Sequence, residues 1–397
     1  MARFTGSESS YQPGRSGAQG CAEQRCDVLI VGGGPAGSTL AWRLVQSGRD
    51  VAVLDKKDFP RDKVCAGWIT PAVVETLQLD LADYARGRTL QPIHRFRTGL
   101  IGGDEVLTDY GGTVSYGIRR REFDDYLLRR SGARLLLGEE VDSLEREGDE
   151  WIVNGRLRTP LLVGAGGHYC PVARRLGAVL GSEEGPVTAQ EVEFELSPEQ
   201  AAVCTVAPDT PELFFTPELD GYGWVFRKGG VLNIGLGRGA GGKLGDSVTA
   251  FTNWLQQQGK IPADIPQRFH GHAYLFYPQR RPRRVVDNGV LLIGDAAGLA
   301  YPQSGEGIRP AVESALLAAA VITAAEGDYR AANLAAYAER LSARFGLRQA
   351  APAALPWLPV AVKRFLAGRL LANSAFTRRV VLDRWFLHCT QPALRAG

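Results

Sequence analysis

The sequence predicts an α/β fold: a Rossmann-like nucleotide-binding domain with an inserted antiparallel-sheet domain and a helical C-terminus. Three observations support this prediction. The apolar run 28–31 enters a glycine turn that opens an Ala-rich helix, as in dinucleotide-binding units. Residues 187–236 contain alternating polar and apolar side chains, the pattern of antiparallel strands. A buried strand near residue 290 then returns the chain to the first domain, which is therefore discontinuous.

The glycine turn carries the most specific signal in the chain. Gly32 allows a tight turn, Gly34 a close approach of a pyrophosphate, and Gly37 close packing of the helix on the sheet. The positive end of the helix favours the bound anion. Asp55 ends the next strand, where it can accept a hydrogen bond from a ribose hydroxyl. These features predict a dinucleotide site without saying which dinucleotide it holds.

Composition and charge argue against several classes of protein. The chain has 397 residues, 45% of them hydrophobic, and a formal net charge of +3. This near-balanced charge gives no reason to expect a nucleic-acid partner. The six cysteines are scattered without a Cys-x-x-Cys pair, so neither a metal site nor a disulfide framework is predicted. Sparse cysteines are typical of a reducing compartment and predict a cytoplasmic protein.

The two ends of the chain differ from its middle. Residues 1–25 are rich in Gly, Ser, Gln and Arg without an apolar core, which predicts a disordered leader and not a signal peptide. The longest apolar run, 315–325, is too short to cross a bilayer. Residues 351–391 mix Pro, Trp, Arg and apolar residues. Such a segment can lie peripherally at the inner face of the membrane, cover the substrate site as a lid, or form core helices.

Hydrophobic periodicity defines the remaining elements and the domain boundaries. We expect strands within 50–55, 86–118, 133–137 and 144–153, and helices at 71–79, 120–130, 247–258 and 305–325. Residues 56–68 predict a charged loop, and the glycine-rich segment 235–240 predicts a turn. The predicted domains are a nucleotide-binding domain of residues 26–85, 112–180 and 285–330, a substrate-binding sheet domain of residues 86–111 and 181–284, and C-terminal helices at 331–397.

Several separated segments resemble the p-hydroxybenzoate-hydroxylase-like flavoproteins and, among them, the geranylgeranyl reductase family. The resemblance rests on the glycine turn, Arg120-x-x-Phe123-Asp124, Gly294-Asp295, Pro302-x-x-Gly305-x-Gly307, the loop segment 63–67 and the strand segment 222–229. It covers residues 26–345. It implies an FAD-binding domain and an FAD-dependent reductase that hydrogenates carbon–carbon double bonds of an apolar prenyl or lipid-like substrate. The electrons would come from an external donor, NAD(P)H or ferredoxin.

The resemblance also implies which residues bind FAD. They are Gly32, Gly34, Pro35, Ala36, Gly37, Asp55, Lys56, Lys63, Cys65, Ala66, Arg120, Gly294, Asp295, Gly305, Gly307 and Ile308. Asp295 would bind the ribityl hydroxyls, whereas a helix-capping role is the structural alternative. The helix that follows Gly307 would stabilise negative charge on a reduced flavin. Glu306 is the best-placed acid, although its position at a helix start already accounts for it.

Three aromatic residues alternate along one predicted strand. Tyr222, Trp224 and Phe226 point to one face because they are spaced by two. Periodicity alone favours core packing, while the resemblance favours a substrate pocket that also includes Pro302. Arg227 stands where the family has proline, which leaves the exact substrate open.

The expected catalytic residues are Cys65, Tyr222 and Trp224. Cys65 lies in the charged loop, where a thiol can donate a proton, gate the pocket or simply pack.

One departure from the family pattern concerns the electron donor. Gly166 occupies the position of an Asp that the related flavoproteins use for cofactor or pyridine-nucleotide contacts. That replacement argues against NADPH as the direct donor.

Two other functions fit the same residues. A flavin-dependent monooxygenase or halogenase shares the fold, although the Trp-x-Trp-x-Ile-Pro segment of halogenases is replaced here by Tyr222-Gly-Trp-Val-Phe226. An electron-transfer flavoprotein that reduces a quinone is the third hypothesis. Reaction of the reduced protein with oxygen, an alkene or a quinone distinguishes the three.

Overall fold

The predicted α/β fold is confirmed by the computed structural model, which describes residues 23–179, 185–239, 243–279, 281–347 and 359–395. Almost all of the predicted leader lies outside these ranges. So does the segment 348–358 of the predicted C-terminal region.

A six-stranded sheet forms the first layer and is parallel except at one edge. Its strands, in spatial order, are Val286–Asp287, Val290–Leu292, Leu161–Gly164, Val28–Val31, Val51–Asp55 and Arg134–Leu137. The central strands consist of buried Val, Leu and Ile residues because helices cover both faces of such a sheet. Strands separated by more than a hundred residues pair directly here, as Leu161–Gly164 does with Val28–Val31.

Helices lie against this sheet, against the second sheet described below and in the C-terminal part of the chain. They are Pro35–Gln46, Pro71–Thr76, Leu81–Tyr84, Arg120–Arg130, Pro171–Arg175, Pro198–Val203, Leu244–Gln257, Ile308–Ala324, Ala331–Leu334, Ala336–Phe345, Val360–Leu371 and Ser374–Phe376, with a 3₁₀ turn at Gly294–Ala296 and a π-type helix at Thr377–Phe386. Two predicted boundaries were wrong because residues with positive φ interrupt the helices. Gln78 (φ 49°) follows the helix that ends at Thr76, and Gly305 (φ 68°) delays the long helix until Ile308.

A seven-stranded sheet forms the second layer. Its spatial order is His270–Tyr274, Val187–Glu195, Val231–Arg238, Gly221–Lys228, Glu212–Phe215, Arg95–Leu100 and Glu105–Asp109. All neighbours are antiparallel except the pair 95–100 and 212–215, which joins two distant parts of the chain.

One expectation about this sheet was wrong. The segment 235–240 does not begin with a turn, because residues up to Arg238 continue the strand that starts at Val231. A β-carbon on Gly235 would come within 2.2 Å of the Trp224 ring. The glycine therefore makes room for an aromatic side chain of the neighbouring strand.

Two smaller sheets complete the fold. One contains Trp68–Ile69, Ser115–Ile118 and Leu90–Ile93, and the other Gln24–Arg25, Leu157–Thr159, Glu150–Val153 and Leu144–Glu147. The first joins the loop after the second parallel strand to the seven-stranded sheet, since Gly117 packs directly on Phe226. This connection fixes the loop that carries Cys65.

Candidate active site

A cavity of about 700 Å³ lies between the two layers. Its wall begins at the glycine turn and at Asp55, at the carboxyl edge of the parallel strands, where open α/β sheets bind ligands. It continues along the Cys65 loop (residues 61–67) and ends at Tyr222, Trp224 and the segment 304–308. The cavity is thus elongated and suited to an extended molecule.

The glycine turn is held by steric constraints. Gly32 has a φ of 113°, and a β-carbon there would lie 2.5 Å from the carbonyl carbon of Ala165. A β-carbon on Gly37 would lie 1.9 Å from the carbonyl oxygen of Gly32. Side chains at these positions would force the strand and the helix apart, so the turn brings its backbone to the cavity only with glycine.

The first helix, Pro35–Gln46, starts at the cavity without a side-chain cap. Its first backbone N–H groups have no partner within the helix and can bind an anion. The Asp55 carboxylate accepts hydrogen bonds from the backbone N–H groups of Gly33 (2.8 Å) and Lys57 (2.9 Å). Asp55 therefore ties the glycine turn to the second parallel strand and also lines the cavity.

Positive charge exceeds negative charge beside the Cys65 loop. The Arg120 guanidinium donates two hydrogen bonds of 2.7 Å to Asp124, and Arg61 lies 3.3 Å from the same carboxylate. Lys63 has no hydrogen bond or ion pair among the described residues, and Arg61 keeps one buried nitrogen without a partner there. Burial and the Arg120 charge lower the pKa of Lys63 to about 8. With Asp295 as the second carboxylate nearby, three cations face two anions, an arrangement that favours an anionic ligand.

Asp295 lies at the end of the strand 290–292 and faces His272 across the cavity wall. Their closest atoms, Oδ2 and Nε2, are 3.5 Å apart. Burial alone would raise the pKa of Asp295, but His272, Lys63 and Arg120 lower it to about 2. Burial and the Lys63 charge lower the pKa of His272 to about 4. At neutral pH the site therefore presents an ionised carboxylate beside a neutral imidazole.

A buried polar network clamps the Cys65 loop to the seven-stranded sheet. The Asn233 amide donates to the Cys65 carbonyl (3.2 Å) and accepts from the Trp224 indole N–H (2.7 Å). The Lys228 ammonium donates to the Ala66 carbonyl (3.1 Å) and to Glu193 (2.6 Å). Breaking a buried network of this kind is costly because it leaves polar groups unpaired. The clamp fixes Cys65 and Trp224 relative to each other.

The structure brings most of the predicted site residues to one cavity. Those that line it are Gly32, Gly34, Pro35, Ala36, Asp55, Lys56, Lys63, Cys65, Ala66, Arg120, Tyr222, Trp224, Asp295, Gly305, Gly307 and Ile308. Cys65 also lies close to the Arg120 guanidinium.

Four predicted residues lie outside the described cavity wall: Gly37, Gly294, Phe226 and Pro302. Gly37 and Gly294 act in packing, since a β-carbon on Gly294 would come within 2.9 Å of the Ala36 side chain. Phe226 is fully buried against Trp68, so the aromatic face divides: Tyr222 and Trp224 meet the cavity and Phe226 packs in the core.

The parallel sheet, the glycine turn at a helix start and the elongated cavity define a dinucleotide-dependent oxidoreductase. The family model for an FAD binding domain matches residues 25–346. A menaquinone reductase from Mycobacterium tuberculosis is 32% identical over 338 residues, which cover 76% of this chain and 77% of the relative. A geranylgeranyl diphosphate reductase from Rhodobacter capsulatus is 30% identical over 306 residues, 71% of each chain. The chain belongs to the geranylgeranyl reductase family of FAD-dependent oxidoreductases.

A solved structure supports the same fold. A geranylgeranyl bacteriochlorophyll reductase-like protein from Thermoplasma acidophilum matches with a TM-score of 0.66 over 88% of each chain, at 20% identity. At that identity the likeness concerns the fold alone. FAD is the cofactor of this family, and the cavity fits it: an anion site at the glycine turn, an acid at the end of the second strand and an excess of positive charge beside the loop all line one elongated space.

Sequence reasoning missed several residues of the site. His272, Asn233 and Lys228 were not predicted. Glu191 and Glu193, which contact Asn233, were not predicted either, although polar residues at alternate positions of an apolar strand are a recognisable signal. Glu191 is buried, and burial raises its pKa to about 7. His272 carries no local signal because its partner Asp295 is 23 residues away and on another layer.

We expect Gly32→Ala to weaken FAD binding at least about tenfold, because a misplaced turn loses backbone contacts to the pyrophosphate. Fluorescence titration of FAD into apoprotein measures the effect. Gly48→Ala is the matched control: its φ is also positive (79°, against 113° at Gly32), but a β-carbon there meets nothing within 4 Å. Equal loss in both variants would show that the close approach to Ala165 is unimportant.

Proposed function

We propose that this protein is an FAD-dependent reductase that hydrogenates carbon–carbon double bonds of an apolar, isoprenoid substrate. The observation that carries the proposal is the far end of the cavity, where Tyr222, Trp224 and Cys65 form a largely apolar wall. An apolar pocket with a few fixed polar groups suits a lipid-like chain. The names of the relatives, a menaquinone reductase and a geranylgeranyl diphosphate reductase, support an isoprenoid substrate.

The residues divide into two groups in this proposal. Those at the glycine turn, with Asp55 and Asp295, bind the cofactor, which supplies hydride when reduced. Tyr222 and Trp224 orient the alkene, and their position is fixed because the Tyr222 hydroxyl donates to the Ser304 carbonyl while Trp224 bonds to Asn233. The segments 86–111 and 181–284 would form the substrate-binding domain. Lys63, and the Arg61 nitrogen that has no hydrogen bond among the described residues, would favour negative charge on the cofactor or on a substrate diphosphate.

The decisive experiment offers two acceptors to the reduced protein. We expect dithionite-reduced holoenzyme under anaerobic conditions to convert geranylgeranyl diphosphate or menaquinone to a product heavier by two hydrogens per reduced bond, as read by mass spectrometry. The mass gain must persist after exposure to air. A gain that disappears in air would indicate quinol formation and favour the electron-transfer flavoprotein. An oxygen-containing product formed with molecular oxygen would favour the monooxygenase.

Cys65 is proposed to act on the substrate. Because the thiol lines the cavity beside Trp224 and its backbone is clamped, Cys65→Ser should lower the rate of alkene reduction at least about tenfold and leave FAD affinity unchanged. Single-turnover kinetics and FAD titration measure the two effects. Cys389→Ser, at an exposed cysteine, is the control. Full activity in Cys65→Ser would assign the residue to packing.

Contact with a membrane surface is the second part of the proposal. The helix Val360–Leu371 exposes four apolar side chains, Val362, Phe365, Leu366 and Leu370, and Phe365 is 67% exposed. Lys363, Arg364 and Arg369 lie on the same helix, a combination typical of interfacial helices. Within the described ranges, the helices lack the length and apolar character that a bilayer span requires. We therefore propose peripheral contact through this helix.

Sedimentation with phosphatidylglycerol vesicles tests this contact. The double variant Phe365→Ser, Leu366→Ser should bind at least about tenfold more weakly, because burying one large apolar side chain contributes about 1.5–3 kcal/mol. Leu107→Ser, which removes an equally exposed leucine (48%) from the seven-stranded sheet, should bind like the unaltered protein. Equal binding by all three proteins would contradict the proposal.

A further inference from the structure

Glu306 is a buried acid in the cavity wall, and the sequence pattern alone accounts for it as a residue at a helix start. Its side chain is 7% exposed, and neither carboxylate oxygen has a hydrogen-bond partner among the described residues. The long helix begins at Ile308, after its N-cap residue Gly307, and the backbone N–H of Arg309 in its first turn lowers the pKa of the Glu306 carboxyl without offsetting its burial. A buried carboxyl group without a hydrogen-bond partner destabilises the fold, and more so when it is ionised. We therefore infer that Glu306 has a role other than stabilising the fold.

His388 approaches Glu306 from the C-terminal tail (residues 387–395). Its Nε2 lies 3.9 Å from the Glu306 Oε2 and has no hydrogen bond among the described residues. The His388 side chain is 11% exposed, and it is followed by the exposed residues Cys389 and Thr390. The imidazole thus lies between the buried carboxyl and the protein surface.

The tail that carries His388 is fixed in place. The Arg309 guanidinium donates to the carbonyls of Gln391 (2.6 Å) and Pro392 (3.0 Å), and the His388 ring stacks on Tyr301 with centroids 3.9 Å apart. Arg309 is in turn held by Glu313 at 2.9 Å. Several ion pairs and hydrogen bonds therefore place one imidazole beside one unpaired acid.

The charges around Glu306 come from four directions. The titratable groups that face it are Arg309 and Glu313 of the long helix, His388 of the tail, Tyr301 of its own segment and Tyr222 of the seven-stranded sheet. Arg344 of the helix 336–345 pairs with Glu313. Burial raises the pKa of Glu306 to about 8, although Arg309 lowers it. Burial and Arg309 lower the pKa of His388 to about 4. At neutral pH the carboxyl holds the proton and the imidazole is ready to exchange one.

We propose that Glu306 is the acid that protonates the substrate carbon during alkene reduction, and that His388 returns a proton to it from the surface. This inference rests on the proposed function. Glu306 is suited to the role because it lines the cavity with Tyr222 on one side and meets His388 on the other.

The chemistry balances with one proton for each double bond. The carbon–carbon π bond breaks and two C–H bonds form, one from a hydride that carries both electrons and one from the Glu306 proton. An external donor restores the hydride equivalent, which is two electrons and one proton, with the proton taken from solvent where the donor carries electrons alone. The Glu306 carboxylate left behind takes a proton through His388, so the protein returns to its starting state.

Single-turnover alkene reduction by pre-reduced holoenzyme tests the proposal. With geranylgeranyl diphosphate, Glu306→Gln should slow alkene reduction at least about a hundredfold, the usual contribution of a general acid, and increase the solvent deuterium isotope effect. Reoxidation by ferricyanide should be unchanged, since it requires no substrate protonation. The unaltered enzyme should lose activity above about pH 8, where Glu306 ionises. Glu339→Gln, at an exposed glutamate, should behave like the unaltered enzyme.

A separate experiment tests the proton relay, which is the return of a proton to Glu306 through His388. His388→Ala should slow repeated turnover, and added imidazole should restore the rate, an effect that a purely structural residue would not show. Infrared spectroscopy of the protein at pH 7 should contain a protonated carboxylic acid band that Glu306→Gln removes.

The outcomes distinguish failure of the proposed function from failure of the roles assigned to Glu306 and His388. If the unaltered enzyme reduces no alkene, the proposed function fails. If it does and Glu306→Gln reduces the alkene at the same rate, or if the carboxylic acid band stays, the role of Glu306 is disproved while the proposed function stands. If imidazole does not restore His388→Ala, the relay is disproved.

Discussion

Close contacts between backbone segments at the start of the first helix determine where the other parts of this site can lie. These contacts fix the strand ends, the first helix and the long helix relative to one another. Gly32 touches the strand end at Ala165, Gly37 touches Gly32, and Gly294 touches Ala36. The parallel strands, the first helix and the long helix therefore meet at one point. The cavity starts there, where its wall includes Gly32, Gly34, Pro35 and Ala36 and where backbone N–H groups can bind an anion.

A second constraint acts at the opposite end, where polar groups replace close packing. Lys228 and Asn233 leave the seven-stranded sheet to hold carbonyl groups of the Cys65 loop. Three of the seven residues of this loop are charged, which leaves it little apolar surface with which to stay in place, so hydrogen bonds help to fix it. The site thus combines a sterically fixed cofactor end with a substrate end held by buried polar bonds.

The sequence predicts what depends on neighbours along the chain. The helix 120–130, the turn at Gly32 and the strand before Asp295 have local signatures, and the structure contains all three. The sequence could not predict polar contacts that form only when distant segments meet, such as His272 with Asp295 or Asn233 with Cys65. Periodicity also could not predict that Phe226 packs in the core. The alternation of side chains along a strand shows which residues share a face, but not which of them reach the cavity.

The docking of the C-terminal tail on Arg309 has a consequence for how the protein matures. Residues 387–392 are synthesised after every sheet and after the long helix, yet they supply the imidazole beside Glu306 and the carbonyl groups that hold Arg309. The surroundings of Glu306 are therefore complete only once residue 392 has been added, whereas every residue that lines the cofactor end of the cavity precedes the tail in the chain.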